Sequence, residues 1–220
     1  MKSKNVTPSI LNVPVEERLN MVINLLNEGI KWVHYDVMDG VFVSNTAIEF
    51  HEIKNINDNA PKHFKDIHLM VEDPFEIIEL YKEVGDILTF HYEAVKNKEE
   101  ILNFLIKNQH NLNLGMAIKP KTSVDEIIDY LPYLRLVLVM SVEPGAGGQK
   151  FIETSIDKIK KLKEYKLKKE LNYLIQVDGG INNITGPACF KAGADACVAG
   201  TFLIKEPTKE RINSILNGDK

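Results

Sequence analysis

The stretch Leu134-Arg135-Leu136-Val137-Leu138-Val139 decides the fold, because it is apolar at every position but one. A strand with one face in water alternates apolar and polar residues, whereas a nearly continuous apolar run is typical of a strand buried on both faces. Similar short runs recur along the chain. Together they predict eight strands, at Val6–Leu11, Trp32–Val37, Phe64–Val71, Ile87–Phe90, Leu112–Ile118, Leu134–Val139, Tyr173–Val177 and Ala196–Ala199.

The segments between these runs have the apolar spacing of helices, which places Leu19, Val22, Ile23 and Leu26 on one helix face, and Ile156, Ile159 and Leu162 on another. Candidate capping oxygens precede three predicted helices, at Asp73, at Thr122 and Ser123, and at Thr154. Dividing 220 residues among eight units leaves about 27 each, near the roughly 30 of a βαβ element. The pattern predicts one α/β domain over residues 1–220, folded as a TIM-type (β/α)8 barrel. An open doubly wound sheet is the alternative.

The charge balance limits the partners that we expect. The chain has 27 Lys and Arg against 31 Asp and Glu, a formal net charge of -4, so it has no basic field for nucleic acid or an anionic membrane. The first residues, Met1–Asn5, lack the apolar stretch of a signal peptide, and no run approaches the roughly 20 apolar residues of a membrane span. We therefore expect a cytoplasmic protein in which Cys189 and Cys197 are buried and reduced.

Ligand-type residues stand where three predicted strands end. Alternation along the second strand puts His34, Asp36 and Met38 on one face, while His68 ends the third strand and Asp178 the seventh. Active sites of β/α barrels lie at the carboxyl ends of the strands. We predict that His34, Asp36, His68 and Asp178 share one divalent cation. Nitrogen and oxygen donors suit Zn²⁺, Fe²⁺, Mn²⁺ or Co²⁺ without choosing among them; an ion-pair cluster that caps the barrel is the alternative.

Three glycine-containing turns follow the last three predicted strands, at Ser141–Gln149, Asp178–Gly180 and Ala199–Thr201. Glycine allows amides to approach an anion closely, and phosphate sites in this fold commonly use the loops after strands seven and eight. The turns together predict a phosphate site, although the first turn alone could be only a flexible lid. Near the proposed metal, Met38, Met70 and Met140 would form either core packing or a water-poor wall over a planar intermediate.

Several motifs, taken in order and spacing, resemble those of the ribulose-phosphate 3-epimerase family and cover roughly residues 6 to 204. They are Pro8-Ser9-Ile10-Leu11, His34 to Gly40, Phe42-Val43-x-Asn45, His68-Leu69-Met70-Val71, Phe90-His91-x-Glu93-Ala94, Val139-Met140-Ser141-Val142, Pro144-Gly145-x-Gly147-Gly148-Gln149, Val177-Asp178-Gly179-Gly180-Ile181-Asn182 and Val198-Ala199-Gly200.

The resemblance implies a ribulose-phosphate-binding barrel and the same four metal ligands. It also implies that Asp36 and Asp178 are the acid/base pair for reversible C3 epimerisation of D-ribulose 5-phosphate to D-xylulose 5-phosphate. That reaction passes through an enediolate and belongs to the pentose phosphate pathway. The implied substrate contacts are Ser9, Met38, His68, Met70, Met140, Asp178 and, around the phosphate, Gly145, Ala146, Gly147, Gly148, Gly179, Gly180, Gly200 and Thr201.

The chain departs from the family pattern at Asn12, Ser44, Ala146 and Thr201, where serine, proline, an aromatic residue and serine are usual. Ala146 matters most, because a smaller lid side chain could admit a different sugar phosphate. An allulose-6-phosphate 3-epimerase is therefore the closest alternative. A carbon–carbon lyase of the same superfamily, which would favour a catalytic lysine such as Lys119, and a non-catalytic sugar-phosphate sensor are the others. Association into a homo-oligomer is left open.

Overall fold

Strands and helices alternate along residues 4–219, the part of the chain that the computed structural model describes. The expectation about a signal peptide concerns residues 1–5, of which residues 1–3 lie outside the described part of the chain. The elements are β1 (Asn5–Pro8), a 3-10 helix (Val15–Glu17), α1 (Arg18–Asn27), β2 (Trp32–Asp39), β3 (Thr46–Ala47), α2 (Phe50–Asn59), β4 (Phe64–Met70), α3 (Pro74–Tyr81), β5 (Ile87–His91), a 3-10 helix (Tyr92–Ala94), α4 (Lys98–Asn108), β6 (Leu114–Ile118), a 3-10 helix (Val124–Tyr133), β7 (Leu136–Met140), α5 (Ser155–Lys168), β8 (Leu174–Asp178), α6 (Thr185–Ala192), β9 (Ala196–Ala199), α7 (Thr201–Ile204) and α8 (Lys209–Asn217).

Eight parallel strands close into a barrel. Hydrogen bonds order the sheet β1-β9-β8-β7-β6-β5-β4-β2, and β3 adds to β2 as a short antiparallel strand. A parallel bridge between Ser9 and His34 joins the end of β1 to β2 and completes the ring. The predicted TIM-type barrel is therefore confirmed, and the open doubly wound sheet is wrong.

Two apolar layers follow from the alternation of side chains along each strand. Residues such as Val33, Tyr35 and Val137 face outward and pack with the helices in the largest core cluster. The residues between them face the barrel interior, where Ile87, Leu136 and Met140 belong to a second cluster. On β2 and β4 the inward positions before the final methionine are polar instead, at His34 and Asp36 and at Asp66 and His68.

All eight predicted strands are present, with ends that move by a few residues. The first is shorter than predicted and ends at Pro8, whereas the second extends to Asp39. β3 was not predicted, because its two residues are too few to show a period. Cys189 and Cys197 are both buried, as predicted.

The predicted helix caps are only partly right. Ser123 accepts a hydrogen bond from the backbone of Asp125 and caps its helix. The side chains of Asp73 and Thr154 make no cap hydrogen bond. Asp73 has a left-handed backbone (φ 47°) in place of the extended conformation of a capping residue. Thr154 is already helical, and backbone carbonyls accept the first amides of its helix. The Thr122 hydroxyl donates to Glu93 rather than capping.

Within residues 4–219, no helix is both long enough and apolar enough to cross a membrane.

The barrel interior leaves no room beside Gly115. A methyl group there would lie 2.3 Å from Thr89 Oγ1, so we expect Gly115→Ala to lower the free energy of unfolding by about 1–3 kcal/mol. Thr89→Ala removes that hydroxyl, the nearest atom, so the double variant should lose less stability than the two single changes added together. Urea unfolding measures all three. Strict additivity would contradict the close contact between β5 and β6.

Candidate active site

Four potential ligands meet at the carboxyl end of the barrel. His34 and Asp36 lie on β2, His68 lies on β4 and Asp178 ends β8. The register of β2 and β4 sets Asp36 beside His68. One ligand atom from each of the four residues lies within 4.8 Å of all the others. The structure thus brings together the whole set that the sequence singled out.

A buried carboxylate behind the cluster orients His34. The His34 Nδ1 atom lies 2.8 Å from Asp66 Oδ2, and both side chains are fully buried. A carboxylate accepts hydrogen bonds, so Nδ1 donates to Asp66 and Nε2 is the ring nitrogen that faces the cluster. Histidine ligands of metals commonly have such a carboxylate partner.

The spacing of the donor atoms fits a metal ion. Ligand atoms about 2.0–2.1 Å from a zinc ion lie about 3.3 Å apart at the corners of a tetrahedron. His34 Nε2 is 3.4 Å from both Asp36 Oδ1 and His68 Nδ1. His68 Nδ1 is 3.2 Å from Asp36 Oδ1 and 3.7 Å from Asp178 Oδ2. Two imidazoles and two carboxylates at these distances form a group that could hold a divalent cation.

Electrostatics in the cluster favour positive charge. Burial lowers the pKa of His34, but Asp66 and Asp36 outweigh it and raise that pKa well above its usual value. Burial raises the pKa of Asp36, but His34 and His68 lower it overall. Burial, with a contribution from the charge of Asp36, raises the pKa of Asp178 to about 6. Two carboxylates so close together attract a cation and resist being ionised together.

A cavity of about 480 Å³ opens above the cluster. Asp36 and Asp178 line it, and Ser9 lies beside them with its hydroxyl donating to Asp36 Oδ2 at 2.6 Å. His34 and His68 are fully buried and are not among the lining residues. The carboxylates are therefore the cluster members that face the space for a ligand. The three predicted methionines also line the cavity, at Met38, Met70 and Met140.

The three glycine-containing turns line the same cavity. The predicted phosphate-contacting residues are all among its walls, namely Gly145, Ala146, Gly147, Gly148, Gly179, Gly180, Gly200 and Thr201. Neither glycine of the turn after β8 has space for a side chain. Gly180 has a φ of 63°, and a Cβ atom there would lie 2.6 Å from the backbone nitrogen of Phe151. A Cβ atom at Gly179 would lie 2.4 Å from the Val142 side chain.

Side-chain amides hold the first glycine turn over the cavity. Asn45, in the loop before β3, donates from Nδ2 to the carbonyl of Gly145 at 2.6 Å. Asn12 donates from Nδ2 to the Thr201 hydroxyl at 3.0 Å, and a Cβ atom at Gly147 would lie 2.3 Å from that Asn12 amide. Two of the departures from the family pattern, Asn12 and Thr201, thus bond to each other beside the turn. Ala146 lies in the same turn and is exposed.

Several residues of the site were missed from the sequence. Asp66 precedes His68 by two residues on β4, so strand alternation could have identified it as inward-facing. His91 and Glu93 were noted only as part of a motif, although His91 contacts His68. Burial raises the pKa of Glu93, but hydrogen bonds, chiefly from His91, lower it to about 2. Lys205 and Arg211, from the end of the chain, also line the cavity.

Lys119 is the candidate catalytic lysine for the alternative in which the chain is a carbon–carbon lyase. It is not among the cavity-lining residues. Its Nζ atom lies 4.0 Å from the centre of the Phe42 ring.

The fold and the cluster together define an enzyme of the β/α-barrel class with a buried His/Asp site at the carboxyl ends of its strands. Solved structures support the fold. The chain superimposes on 3-keto-L-gulonate-6-phosphate decarboxylase from Vibrio cholerae with a TM-score of 0.71 at 10% identity, over 98% of this chain and 96% of that one. Phosphoribosyl anthranilate isomerase from Thermus thermophilus gives a TM-score of 0.65 at 14% identity, over 96% of each chain. Such distant similarity shows the fold alone.

Closer relatives identify the family. The pattern of the Ribulose-phosphate 3 epimerase family matches residues 5–204. The chain is 42% identical to the ribulose-phosphate 3-epimerase of Eremothecium gossypii, over 87% of this chain and 82% of that protein. It is 36% identical to that of Bacillus subtilis, over 98% of this chain and 99% of that protein. The chain belongs to the ribulose-phosphate 3-epimerase family.

The donor set predicts that the metal-free protein binds one divalent ion per chain. We expect Zn²⁺ to raise the melting temperature, because an ion that binds only the folded state stabilises it. His34→Gln should weaken binding by more than the roughly 10- to 100-fold typical of losing an outer-shell partner. His63→Gln, a change at a buried histidine outside the cluster, is the matched control and should retain the affinity. Competition with a chromophoric chelator measures both variants, and equal affinities would contradict the assignment.

Proposed function

We propose that this chain catalyses the reversible epimerisation at C3 of D-ribulose 5-phosphate to D-xylulose 5-phosphate, with Asp36 and Asp178 as acid and base. The observation that carries the proposal is that these two carboxylates come from β2 and β8 and line one cavity beside a His/Asp cluster. Membership of the family supports the reaction class.

Inversion at one carbon needs a proton to leave one face of the substrate and another to reach the opposite face. A single carboxylate cannot easily serve both faces, whereas two carboxylates from separate strands can lie on either side of C3. One aspartate takes the C3 proton, which leaves a planar enediolate, and the other returns a proton from the opposite side. Positioned proton transfer of this kind typically contributes about 10²- to 10⁴-fold in rate.

The side chains that would hold the metal are His34, Asp36, His68 and Asp178. A divalent ion bound there would stabilise negative charge on the substrate oxygens by several kcal/mol. The chain fixes the geometry around it: the Ser9 hydroxyl holds one Asp36 oxygen at 2.6 Å, and the Ser141 hydroxyl donates to the carbonyl of Asp178 at 2.9 Å. The identity of the ion stays open among Zn²⁺, Fe²⁺, Mn²⁺ and Co²⁺.

The phosphate would lie among the three glycine-containing turns. A phosphate brings about −1.5 to −2 charges. Glycine backbone conformations allow amide N–H groups to point toward it. The nearby cations Lys205 and Arg211 add positive charge to the same wall. The distance between the glycine-containing turns and the His/Asp cluster would then have to match the distance between the phosphate and C3 in the substrate.

The three methionines would exclude water from the reacting carbon. Met38, Met70 and Met140 are each at most 5% exposed, and all three line the cavity. Their thioethers offer an apolar and polarisable surface to a flat, electron-rich intermediate. Water kept away from the enediolate can neither protonate it from the wrong side nor screen the charges around it.

The wider setting follows from the proposed reaction. We place the chain as one domain over residues 1–220, in the cytoplasm and in the pentose phosphate pathway. Whether it forms a homo-oligomer stays a prediction.

Substrate choice is tested by comparing D-ribulose 5-phosphate with D-allulose 6-phosphate on the same preparation. We expect a higher kcat/KM for the pentulose phosphate, complete loss of activity on chelation and recovery when a divalent metal is restored. A protein passed through the same procedure without chelator is the control. A higher kcat/KM for the hexulose phosphate would instead favour the alternative epimerase. Activity that persists after elemental analysis has shown metal removal would overturn the metal role.

The aspartate pair is tested by Asp36→Asn and Asp178→Asn. Each should reduce kcat by at least about 10²-fold, because an amide cannot exchange the C3 proton. Metal content is measured alongside, so that loss of the ion is separated from loss of proton transfer. Asp58→Asn, at an exposed carboxylate on α2, serves as the control and should leave kcat unchanged. In D₂O the wild-type product should carry deuterium at C3, and a product without deuterium would exclude the two-base exchange.

A further inference from the structure

A second buried histidine stands behind His68. His91 ends β5 and is fully buried, and its Nε2 atom lies 2.9 Å from His68 Nε2. The ring centres are 5.0 Å apart. A hydrogen bond between two imidazole nitrogens needs one nitrogen to donate and the other to accept. The direction of this bond therefore fixes which nitrogen of His68 carries the proton.

Glu93 determines that direction. Its Oε2 atom lies 3.2 Å from His91 Nδ1, and an ionised carboxylate can only accept, so His91 Nδ1 must donate. Its other oxygen, Oε1, accepts from the backbone amide of Lys119 at 2.7 Å and from the Thr122 hydroxyl. The carboxylate is thereby held by donors on both sides.

The hydrogen bond between Glu93 and His91 determines the direction of the next hydrogen bond, between His91 and His68. A neutral His91 that donates from Nδ1 has only a lone pair on Nε2, so it accepts from His68 Nε2. His68 then has its proton on Nε2 and its lone pair on Nδ1, the atom 3.2 Å from Asp36 Oδ1. We propose that Glu93 is a positioning residue that sets, through His91, the His68 tautomer able to bind a metal. The proposal rests on the metal site proposed above.

At His34 a single hydrogen bond, to Asp66, places the proton on the nitrogen that faces away from the cluster. Asp66 accepts directly from His34 Nδ1 and leaves Nε2 to face the cluster. At His68 the proton faces β5, and the intervening His91 extends the reach to a carboxylate at the start of the next loop. A role in packing alone would need the bulk of Glu93 and His91 but would not depend on which atoms donate.

Exchanging the carboxylate for an amide of the same shape separates these two roles. In Glu93→Gln the amide oxygen is expected to stay with its two donors, Lys119 N and the Thr122 hydroxyl. The amide NH₂ then faces His91 and donates to its Nδ1. Every hydrogen bond along the relay reverses, and the His68 proton moves to Nδ1, where a metal must displace it.

Thr122→Val is the matched control. It removes a hydroxyl that donates to the same carboxylate, at nearly unchanged volume, but leaves the oxygen that faces His91. Any general loosening of the loop should therefore appear in both variants. Only Glu93→Gln should reverse the tautomer.

The tautomers are measured in the metal-free protein by long-range ¹H–¹⁵N correlation spectra of ¹⁵N-histidine-labelled chain. We expect the wild type and Thr122→Val to show His68 protonated at Nε2 and His91 at Nδ1, and Glu93→Gln to show both reversed. Zn²⁺ affinity, by chelator competition, should fall about 10- to 100-fold in Glu93→Gln and less than about 2-fold in Thr122→Val.

Wild-type protein with His68 protonated at Nδ1 would overturn the proposal, even if the variants failed to fold. Unchanged tautomers and affinity in Glu93→Gln, or an equal loss of affinity in both variants, would also overturn it. The tautomer spectra need no metal. A wild-type chain that bound no Zn²⁺ would therefore count against the proposed metal site, while the spectra would still decide the role of Glu93.

Discussion

Two imidazoles and two carboxylates face one another at the carboxyl end of the barrel, and the arrangement of the surrounding polar residues depends on that constraint. To bind a divalent cation, all four groups must present lone pairs to it. Such groups repel unless a cation lies at their centre. Each imidazole must also turn its N–H outward, so each needs an acceptor behind it, inside a barrel with little access to water. Asp66 is that acceptor for His34.

The buried polar residues below the His/Asp cluster do not satisfy all their hydrogen-bonding groups. Gln176 donates to both Thr7 and Asp66. Among the described residues, however, Asp66 Oδ1, Thr89 Oγ1 and Gln176 Oε1 are buried without a hydrogen-bond partner. An unsatisfied buried polar atom costs about 1–3 kcal/mol. The apolar cluster that contains Leu136 and Leu138 lies in the same barrel interior and offsets part of that cost. The site thus holds local instability that the rest of the barrel tolerates.

The sequence predicted those features that depend on a short period. Alternation along one strand put His34 and Asp36 on a common face, and the barrel rule put His68 and Asp178 at the same end. Features that depend on contacts between distant segments were missed. The hydrogen bond from Asn45 to Gly145 joins residues 100 positions apart. Thr154 does not cap its helix because backbone carbonyls accept the first amides, and residue types do not predict such backbone bonds. The roles of the site residues stay predictions.

The barrel does not by itself select the reaction, because an isomerase and a decarboxylase of very different sequence superimpose on this chain. The discrimination must come from the strand ends. A lyase would favour a catalytic lysine at a strand end, but Lys119 lies over the Phe42 ring and is not among the residues that line the cavity. A sensor would require only the phosphate turns and would gain nothing from burying two carboxylates at a cost in desolvation. Paired carboxylates that face one cavity are what proton exchange on two faces requires.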